Sequence, residues 1–140
     1  MTYTVSYVPP HRLVEVWDAA GPILQRATDA SAGRYLVRDL LAKLEKGEVQ
    51  LWVVLDEDDQ TVAAMTANVT VYPQLRALTG TYIAGVDAKG WGRPLLAALE
   101  NAARQLDCQK IEFVGRPGWR RWIEPLGFEH RFSTYEKQVT

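Results

Sequence analysis

The middle of the chain contains three consecutive extended segments, joined by turns that are too short to hold a helix. Residues 49–55 are strongly apolar, residues 61–71 are rich in β-branched side chains, and residues 75–86 supply the third segment. β-branched residues favour strands, and the acidic stretch DEDDQ and the pair Tyr72-Pro73 provide the turns. Because strands joined by such short turns pair antiparallel, the sequence predicts a three-stranded antiparallel meander.

Helical periodicity flanks this meander on both sides. Before it, two apolar patterns predict helices separated by a break at residues 31–33, and Gly21-Pro22 is expected to kink or split the first of them. After it, leucines and alanines between Leu95 and Leu106 predict a central helix.

Shorter segments complete the chain. Strands are predicted at residues 2–8, 110–114 and 128–137, and a short helix at residues 117–124. The predicted order is β-α-α-β-β-β-α-β-α-β, an α/β chain with a mixed, mainly antiparallel sheet flanked by helices. Its length favours one domain over residues 1–140.

Composition narrows the classes of function. The net charge of -1 gives no basic field, so nucleic-acid binding is not expected. No apolar run reaches the roughly 18 residues of a membrane span, and the first residues lack the pattern of a signal peptide, so a cytoplasmic protein is expected. The single cysteine, Cys108, is interpreted as a core residue, although catalysis would be open to it if a base lay nearby; His11 and His130 show no metal-binding spacing.

The order of elements, a Gly-x-Gly at the entry to the central helix, and the segment IEPLGFE resemble the GNAT superfamily of acyl-CoA-dependent N-acetyltransferases. The resemblance covers nearly the whole chain. The chain looks most similar to small, divergent GNAT-like proteins of tailed bacteriophages, in which an E-x-x-GRPGW segment precedes a final GF. Here these are residues 112–119 and Gly127-Phe128.

The resemblance implies a site for acetyl-CoA in a V-shaped opening between residues 81–86 and 110–114. A bulge near Gly85 is expected to help these strands part. The pantetheine arm would pair with the backbone of Ile83, Ala84, Gly85 and Val86. The pyrophosphate would rest on amides at the start of the central helix, those of Lys89, Gly90, Trp91, Gly92 and Arg93.

The phosphate loop departs from the family pattern Q/R-x-x-G-x-G/A at its first position, which is Asp87. We expect Pro94 in the first turn of the helix, because a proline deeper in a helix breaks a backbone hydrogen bond. Two interpretations stay open. In the first, Lys89 and Arg93 offset the charge of Asp87 in a working phosphate site. In the second, the glycines serve only a tight turn, with Trp91 as a plug over the groove.

The usual catalytic groups are also missing. No Asp, Glu or His occurs between Gln60 and Val86, and Ile123 stands where the resemblance implies a tyrosine proton donor. Tyr82 and Tyr135 are the candidate substitute donors, and Glu112 and Asp87 the candidate bases.

Two functions therefore follow from the resemblance. The first is a phage-type N-acetyltransferase that transfers an acetyl group from acetyl-CoA to an unidentified amine. The second is a catalytically silent phage protein that acts by protein contact, as a host-factor inhibitor, assembly factor or virion component. For the second, the arginines and tryptophans of residues 116–122 are the predicted contact region, and either the host cytoplasm or the virion is the expected location.

Overall fold

The computed structural model describes residues 2–140 and places five strands in one sheet. The strands follow chain order across the sheet: β1 (Thr4–Val8), β2 (Gln50–Leu55), β3 (Thr61–Val71), β4 (Arg76–Gly85) and β5 (Lys110–Phe113). The first four pair antiparallel, whereas β5 runs parallel to β4. The predicted meander is thus confirmed as β2, β3 and β4.

Helices cover both faces of this sheet. They are α1 (Leu13–Asp29), α2 (Val37–Glu45), α3 (Ala88–Gln105) and α4 (Arg120–Ile123), the last lying between two short 3-10 turns. The crossover from β4 through α3 to β5 is what makes β5 parallel, because a parallel connection needs room for a helix. No helix among the described residues 2–140 is both long and apolar enough to cross a membrane.

Alternation along the strands produces a core on each face. On β2, Trp52 and Val54 face α3, while Leu51 and Val53 face α1 and α2. Apolar residues on both faces of a strand are typical of a sheet covered on both sides. The α3 face also receives the half-buried aromatic rings of the C-terminal region, Phe113, Trp119 and Trp122.

Both prolines inside helices are tolerated. The helix α1 continues through Pro22 as one helix, so the expected split at Gly21-Pro22 does not occur. Likewise α3 begins at Ala88 and places Pro94 in its second turn, so the prediction of an open loop over residues 89–93 is wrong. A proline leaves the carbonyl four residues earlier without its partner. Because Asp18 and Gly90 are exposed, water can satisfy those carbonyls.

The predicted closing strand, residues 128–137, does not form in the structure. Residues 127–140 contain no regular secondary structure, and all of residues 129–140 are exposed. Alternation alone gives a segment the pattern of a strand, but a strand also needs a neighbour that accepts its backbone hydrogen bonds. The tail, residues 127–140, has no such neighbour in this conformation.

Candidate functional site

The strands β4 and β5 separate partway along β4. They pair from Ala77 opposite Lys110 to Gly80 opposite Phe113, and the last contact is the Val114 N–H donating to the Gly80 carbonyl at 3.1 Å. β4 continues to Gly85 beside β3 alone. One backbone edge of residues 81–85 therefore faces an opening instead of a strand.

A β-bulge lies where the two strands part. Thr66 pairs with Tyr82 and Ala67 with Gly80, so Thr81 is the extra residue of β4. The bulge was expected near Gly85, and the structure places it at Thr81. A bulge bends its strand and increases the local twist, so it directs the remainder of β4 away from β5.

The exposed edge of β4 carries backbone groups of two predicted site residues. The Val86 N–H donates to the Val62 carbonyl at 3.1 Å, so residue 86 faces β3. Since backbone groups alternate along an antiparallel strand, Ile83 and Gly85 direct theirs toward the opening. Gly85 also packs closely against β3: a Cβ at this position would come within 2.5 Å of the Ala63 Cβ.

The helix α3 begins directly after this edge. Asp87 precedes it in the left-handed backbone region (φ 62°, ψ 46°), which aspartate tolerates better than most residues. Its backbone carbonyl accepts from the Gly90 N–H at 2.9 Å and from the Trp91 N–H at 3.4 Å. The backbone N–H groups of Ala88 and Lys89, the first two of the helix, have no backbone acceptor among residues 2–140.

The side chain of Asp87 is held by the N-terminal segment of the chain. The Tyr3 hydroxyl donates a hydrogen bond to Asp87 Oδ2. This bond is the main cause that raises the pKa of Tyr3 from 10.0 to about 12, because ionised tyrosine could no longer donate it. The pair orients the carboxylate, but its negative charge stays at the positive end of the α3 dipole.

Both glycines of the Gly-x-Gly segment have packing reasons. A Cβ on Gly90 would come within 2.4 Å of Asp87 Oδ2 and 2.8 Å of Tyr3 Cε2. A Cβ on Gly92 would come within 3.3 Å of Leu126 Cδ1, in the turn after α4. The glycine pattern is therefore explained by packing, whether or not a phosphate binds.

Trp91 points into the protein. Only 2% of its surface is exposed, and its ring packs edge-to-face against that of Trp122, with centroids 5.5 Å apart. Its indole N–H donates to the Val86 carbonyl at 2.6 Å. The interpretation of Trp91 as a plug over the groove is wrong: the ring lies in the core, where it joins the end of β4 to α3.

Positive charge remains available at this end of α3. The side chains of Lys89 and Arg93 are exposed, and neither forms an ion pair with a described residue. The only acidic residue within the segment 87–93 is Asp87. Two free cations thus lie beside one fixed carboxylate and two free N–H groups.

Polar side chains continue from the bulge across the sheet face on the α1 side. Thr81 and Thr66 are hydrogen-bonded through their hydroxyls at 3.2 Å, as are Thr79 and Thr70 at 2.8 Å. Tyr82 follows them, half-buried. Thr66, Thr81 and Tyr82, together with the loop after α1 and the tail, line an open cavity of about 2020 Å³.

Tyr82 is half-buried in the wall of the cavity. Its ring meets the Tyr35 ring edge-on, with centroids 5.2 Å apart. Burial raises the pKa of Tyr82 above its usual value of 10.0. That hydroxyl forms no hydrogen bond with any described residue of the chain.

Of the other candidate catalytic groups, Glu112 lines the same cavity as Tyr82, whereas Tyr135 does not. Tyr135 is 92% exposed on the tail and does not line the cavity. Glu112 lies on β5 opposite Thr79 and accepts a hydrogen bond from the Tyr72 hydroxyl at 2.9 Å. This bond is the main cause that raises the pKa of Tyr72.

The C-terminal region divides into a buried and an exposed part. Trp119 and Trp122 are half-buried and pack on Phe113, with centroids 6.1 and 5.8 Å apart. Arg116 and Arg121 are exposed and form no ion pair among residues 2–140. The tryptophans thus belong to the core, and the arginines alone are left on the surface.

Sequence reasoning did not link Tyr3 with Asp87, Tyr35 with Tyr82, or Tyr72 with Glu112. Each pair is brought together by neighbouring elements across 40 residues or more, and no local motif announces such a contact. The one signal in the sequence was Asp87 at the first position of the loop, because a carboxylate there is expected to accept a hydrogen bond from another side chain.

The sequence matches no protein-family model and no curated protein. Solved structures, by contrast, share its fold over nearly the whole chain. A probable acetyltransferase aligns with a TM-score of 0.72 at 13% identity, covering 98% of both chains. A GNAT family acetyltransferase from Staphylococcus aureus aligns at 0.64 and 16%, covering 99% of this chain and 100% of its own. A predicted acetyltransferase with acetyl-CoA from Clostridium acetobutylicum aligns at 0.68 and 16%, covering 98% and 96%.

At these identities the likeness establishes the fold alone. The chain therefore has the fold of the GNAT acetyltransferases.

Proposed function

We propose that the protein is an acyl-CoA-dependent N-acetyltransferase that binds acetyl-CoA in the opening between β4 and β5. The observation that carries this proposal is the separation of the two strands after Gly80 and Phe113, with α3 beginning at Ala88 beside the opening. A free strand edge next to a helix N-terminus offers hydrogen bonds for an extended amide-containing arm and a positive end for phosphates.

The pantetheine arm would pair with the open edge of β4. Ile83 and Gly85 supply the backbone groups that face the opening, while Ala84 and Val86 belong to the stretch that the arm would follow. The arm contains amides, so it can bond to a strand edge as another strand does. This assignment uses backbone atoms and does not depend on the side chains of these residues.

The pyrophosphate would lie at the start of α3. In this structure the free donors there are the N–H groups of Ala88 and Lys89, supported by the Lys89 and Arg93 side chains. The N–H groups of Gly90 and Trp91 already bond to the Asp87 carbonyl. The proposed phosphate contact is therefore smaller than the loop pattern implies, and we expect weak binding that falls as salt rises.

Tyr82 is the proposed proton donor to the departing thiolate of CoA. It lines the cavity, and its hydroxyl forms no hydrogen bond with any described residue. Like any tyrosine with a pKa at or above 10.0, it carries its proton at neutral pH and so has one to donate. The amine must reach the site uncharged or lose its proton there. Glu112 is the proposed acceptor of that proton, since its carboxylate lies on β5 directly opposite Thr79 of β4.

Calorimetric titration with acetyl-CoA and with CoA tests the cofactor site. Lys89→Glu should weaken binding at least five-fold, because it adds repulsion where attraction was present. Lys46→Glu, an equal charge change at an exposed position beyond α2, should leave binding unchanged. No binding of either ligand at millimolar concentration would sink the proposal. Gly92→Glu is a poorer test, because Gly92 packs against Leu126.

The role of Tyr82 is tested separately. Tyr82→Phe removes the hydroxyl and keeps the ring contact with Tyr35, so acetyl-CoA binding should persist while thiol release slows by about 10²-fold or more. Release of CoA is followed with a panel of peptide and small amines as acceptors. Equal rates for the variant and the parent protein would remove Tyr82 from the mechanism.

The alternative of a silent protein that acts by contact is not favoured by the structure. The tryptophans on which its contact region depended are packed against Phe113. The phage-type origin, the acceptor amine and the cytoplasmic location stay predictions from the sequence.

A further inference from the structure

The loop after α1 lines the open cavity and turns sharply there. Ala32 and Gly33 make the turn with positive φ angles of 55° and 77°, a conformation that alanine adopts rarely. The Ser31 hydroxyl fixes the turn, because it accepts from the Tyr35 N–H at 3.1 Å and donates to the Tyr35 carbonyl at 3.2 Å. The loop thus holds the side chain between them in sequence, Arg34, at the rim of the cavity.

The guanidinium of Arg34 is held on one side by its own loop. Its Nη1 donates to the carbonyls of Ser31 and Ala32, both at 3.4 Å. Its Nη2 donates to Glu136 Oε2 at 2.8 Å. Because a guanidinium is a rigid fork of N–H groups, hydrogen bonds on one side orient the remaining N–H groups. Arg34 is therefore oriented to bind a carboxylate at the rim of the cavity.

The carboxylate that Arg34 binds in this structure can be replaced by another. Glu136 belongs to the tail, and its side chain is 64% exposed, against 47% for Arg34. Ion pairs between exposed side chains are weak. The backbone of residues 129–140 forms no backbone–backbone hydrogen bond with any described residue, so it does not fix Glu136 in place. A carboxylate on a bound molecule could thus take the position of Glu136.

Arg34 lies close to the proposed proton donor. It precedes Tyr35, whose ring meets that of Tyr82 with centroids 5.2 Å apart. Burial raises the pKa of Tyr82, and the positive charge of Arg34 acts on it in the opposite direction. Such an effect requires a charge near the hydroxyl. A molecule whose amine reacts beside Tyr82 therefore has Arg34 within reach of its other groups.

We infer that the acceptor is an amine that also carries a carboxylate, such as an amino acid, and that Arg34 binds this carboxylate in place of Glu136. The inference rests on the proposed function, because it assigns the acceptor of the same site. The uncharged nitrogen bonds to the acetyl carbon as the carbon–sulfur bond of acetyl-CoA breaks. The nitrogen gives up one proton, and the sulfur takes one from Tyr82. Arg34 contacts no reacting atom, so its role is to select the acceptor.

NMR titration of the full chain with N-acetylated acids tests the carboxylate site without turnover. The N-acetyl derivatives of glycine, β-alanine and γ-aminobutyrate are compared with their amides, which match them in size but lack the charge. At least one acid should bind about three-fold or more tightly than its amide. Arg34→Gln should remove this preference, since glutamine is polar but uncharged. Arg38→Gln, at an exposed arginine of α2 outside the cavity, is the control and should keep it.

Glu136→Gln tests the replacement itself. This variant frees Arg34, so the preferred acid should bind about three-fold or more tightly than to the parent protein, while its amide should bind equally to both. In turnover with the corresponding amino acid, KM should fall in Glu136→Gln and rise in Arg34→Gln, with kcat little changed in either.

Three results would overturn the inference: equal affinities of acids and amides for the parent protein, a preference that survives Arg34→Gln, or weaker binding of the acid to Glu136→Gln. Failure of acetyl-CoA to bind would overturn the proposed function and this inference with it. Loss of the acid preference while acetyl-CoA still binds would overturn this inference alone.

Discussion

Replacing Trp91 by phenylalanine tests whether this residue belongs to the core or to the groove. The substitution removes the hydrogen bond to the Val86 carbonyl and part of a ring that is 2% exposed. A lost hydrogen bond costs about 1 kcal/mol. The space left beside Trp122 adds a comparable cost, since a full Trp→Ala truncation in a core costs about 3–5 kcal/mol. We therefore expect Trp91→Phe to lower the free energy of unfolding by about 2 kcal/mol.

Urea unfolding followed by far-UV circular dichroism measures this change. With a slope of about 2 kcal/mol per molar urea, the midpoint should fall by about 1 M. The protein should remain folded in water, because domains of this size are stable by about 5–15 kcal/mol. Trp17→Phe is the matched control, since Trp17 is only half-buried and its indole donates to no described residue, so its loss should be smaller.

The opposite result would refute the assignment. If Trp91 covered the groove, Trp91→Phe would leave the urea midpoint unchanged and would tighten acetyl-CoA binding. Measuring both the stability and the acetyl-CoA affinity of this variant thus distinguishes a Trp91 ring in the core from one over the groove.

Three further predictions concern the neighbourhood of α3. Asp87→Asn removes a charge worth about 1 kcal/mol at 4 Å in water, so acetyl-CoA should bind roughly five-fold more tightly; weaker binding in calorimetry would contradict the expected repulsion. Because the Tyr3 pKa is raised from 10.0 to about 12 in the folded chain, its bond to Asp87 stabilises the fold below pH 10 and is lost as the pH rises through 12. In Tyr3→Phe, stability should no longer fall for this reason as the pH rises from 10 to 12. If the free energy of unfolding depended on pH in the same way in the variant and the parent protein, the prediction would be wrong. Gly85→Ala should cost about 1–3 kcal/mol through contact with Ala63, whereas Gly118→Ala, which meets no atom within 4 Å, should change the midpoint little.

The meander and the helix after it could be predicted because their signals are local. β-branched residues in 61–71 favour a strand, and the apolar period of residues 95–106 is that of a helix. The parting of β4 from β5 was expected from the resemblance alone. The position of its bulge, at Thr81 and not near Gly85, depends on how β3 and β4 align, which is a relation between two segments.

The start of α3 shows how a correct local rule gave a wrong boundary. Pro94 disfavours the second turn of a helix, yet the helix begins at Ala88. The cost is reduced because the carbonyl left free belongs to exposed Gly90, and the first turn is held by the Asp87 carbonyl and by burial of Trp91.

The sequence by itself determined the period of each segment, and through it the α/β architecture and the order of its first nine elements. Tertiary structure decided which groups meet: Tyr3 with Asp87, Tyr35 with Tyr82, and Trp91 with the end of β4. It also decided that residues 128–137 remain without a strand partner. The physical reason is the same in each case. Backbone preference acts within a few residues, whereas hydrogen bonds and burial require a partner that only the folded chain brings close.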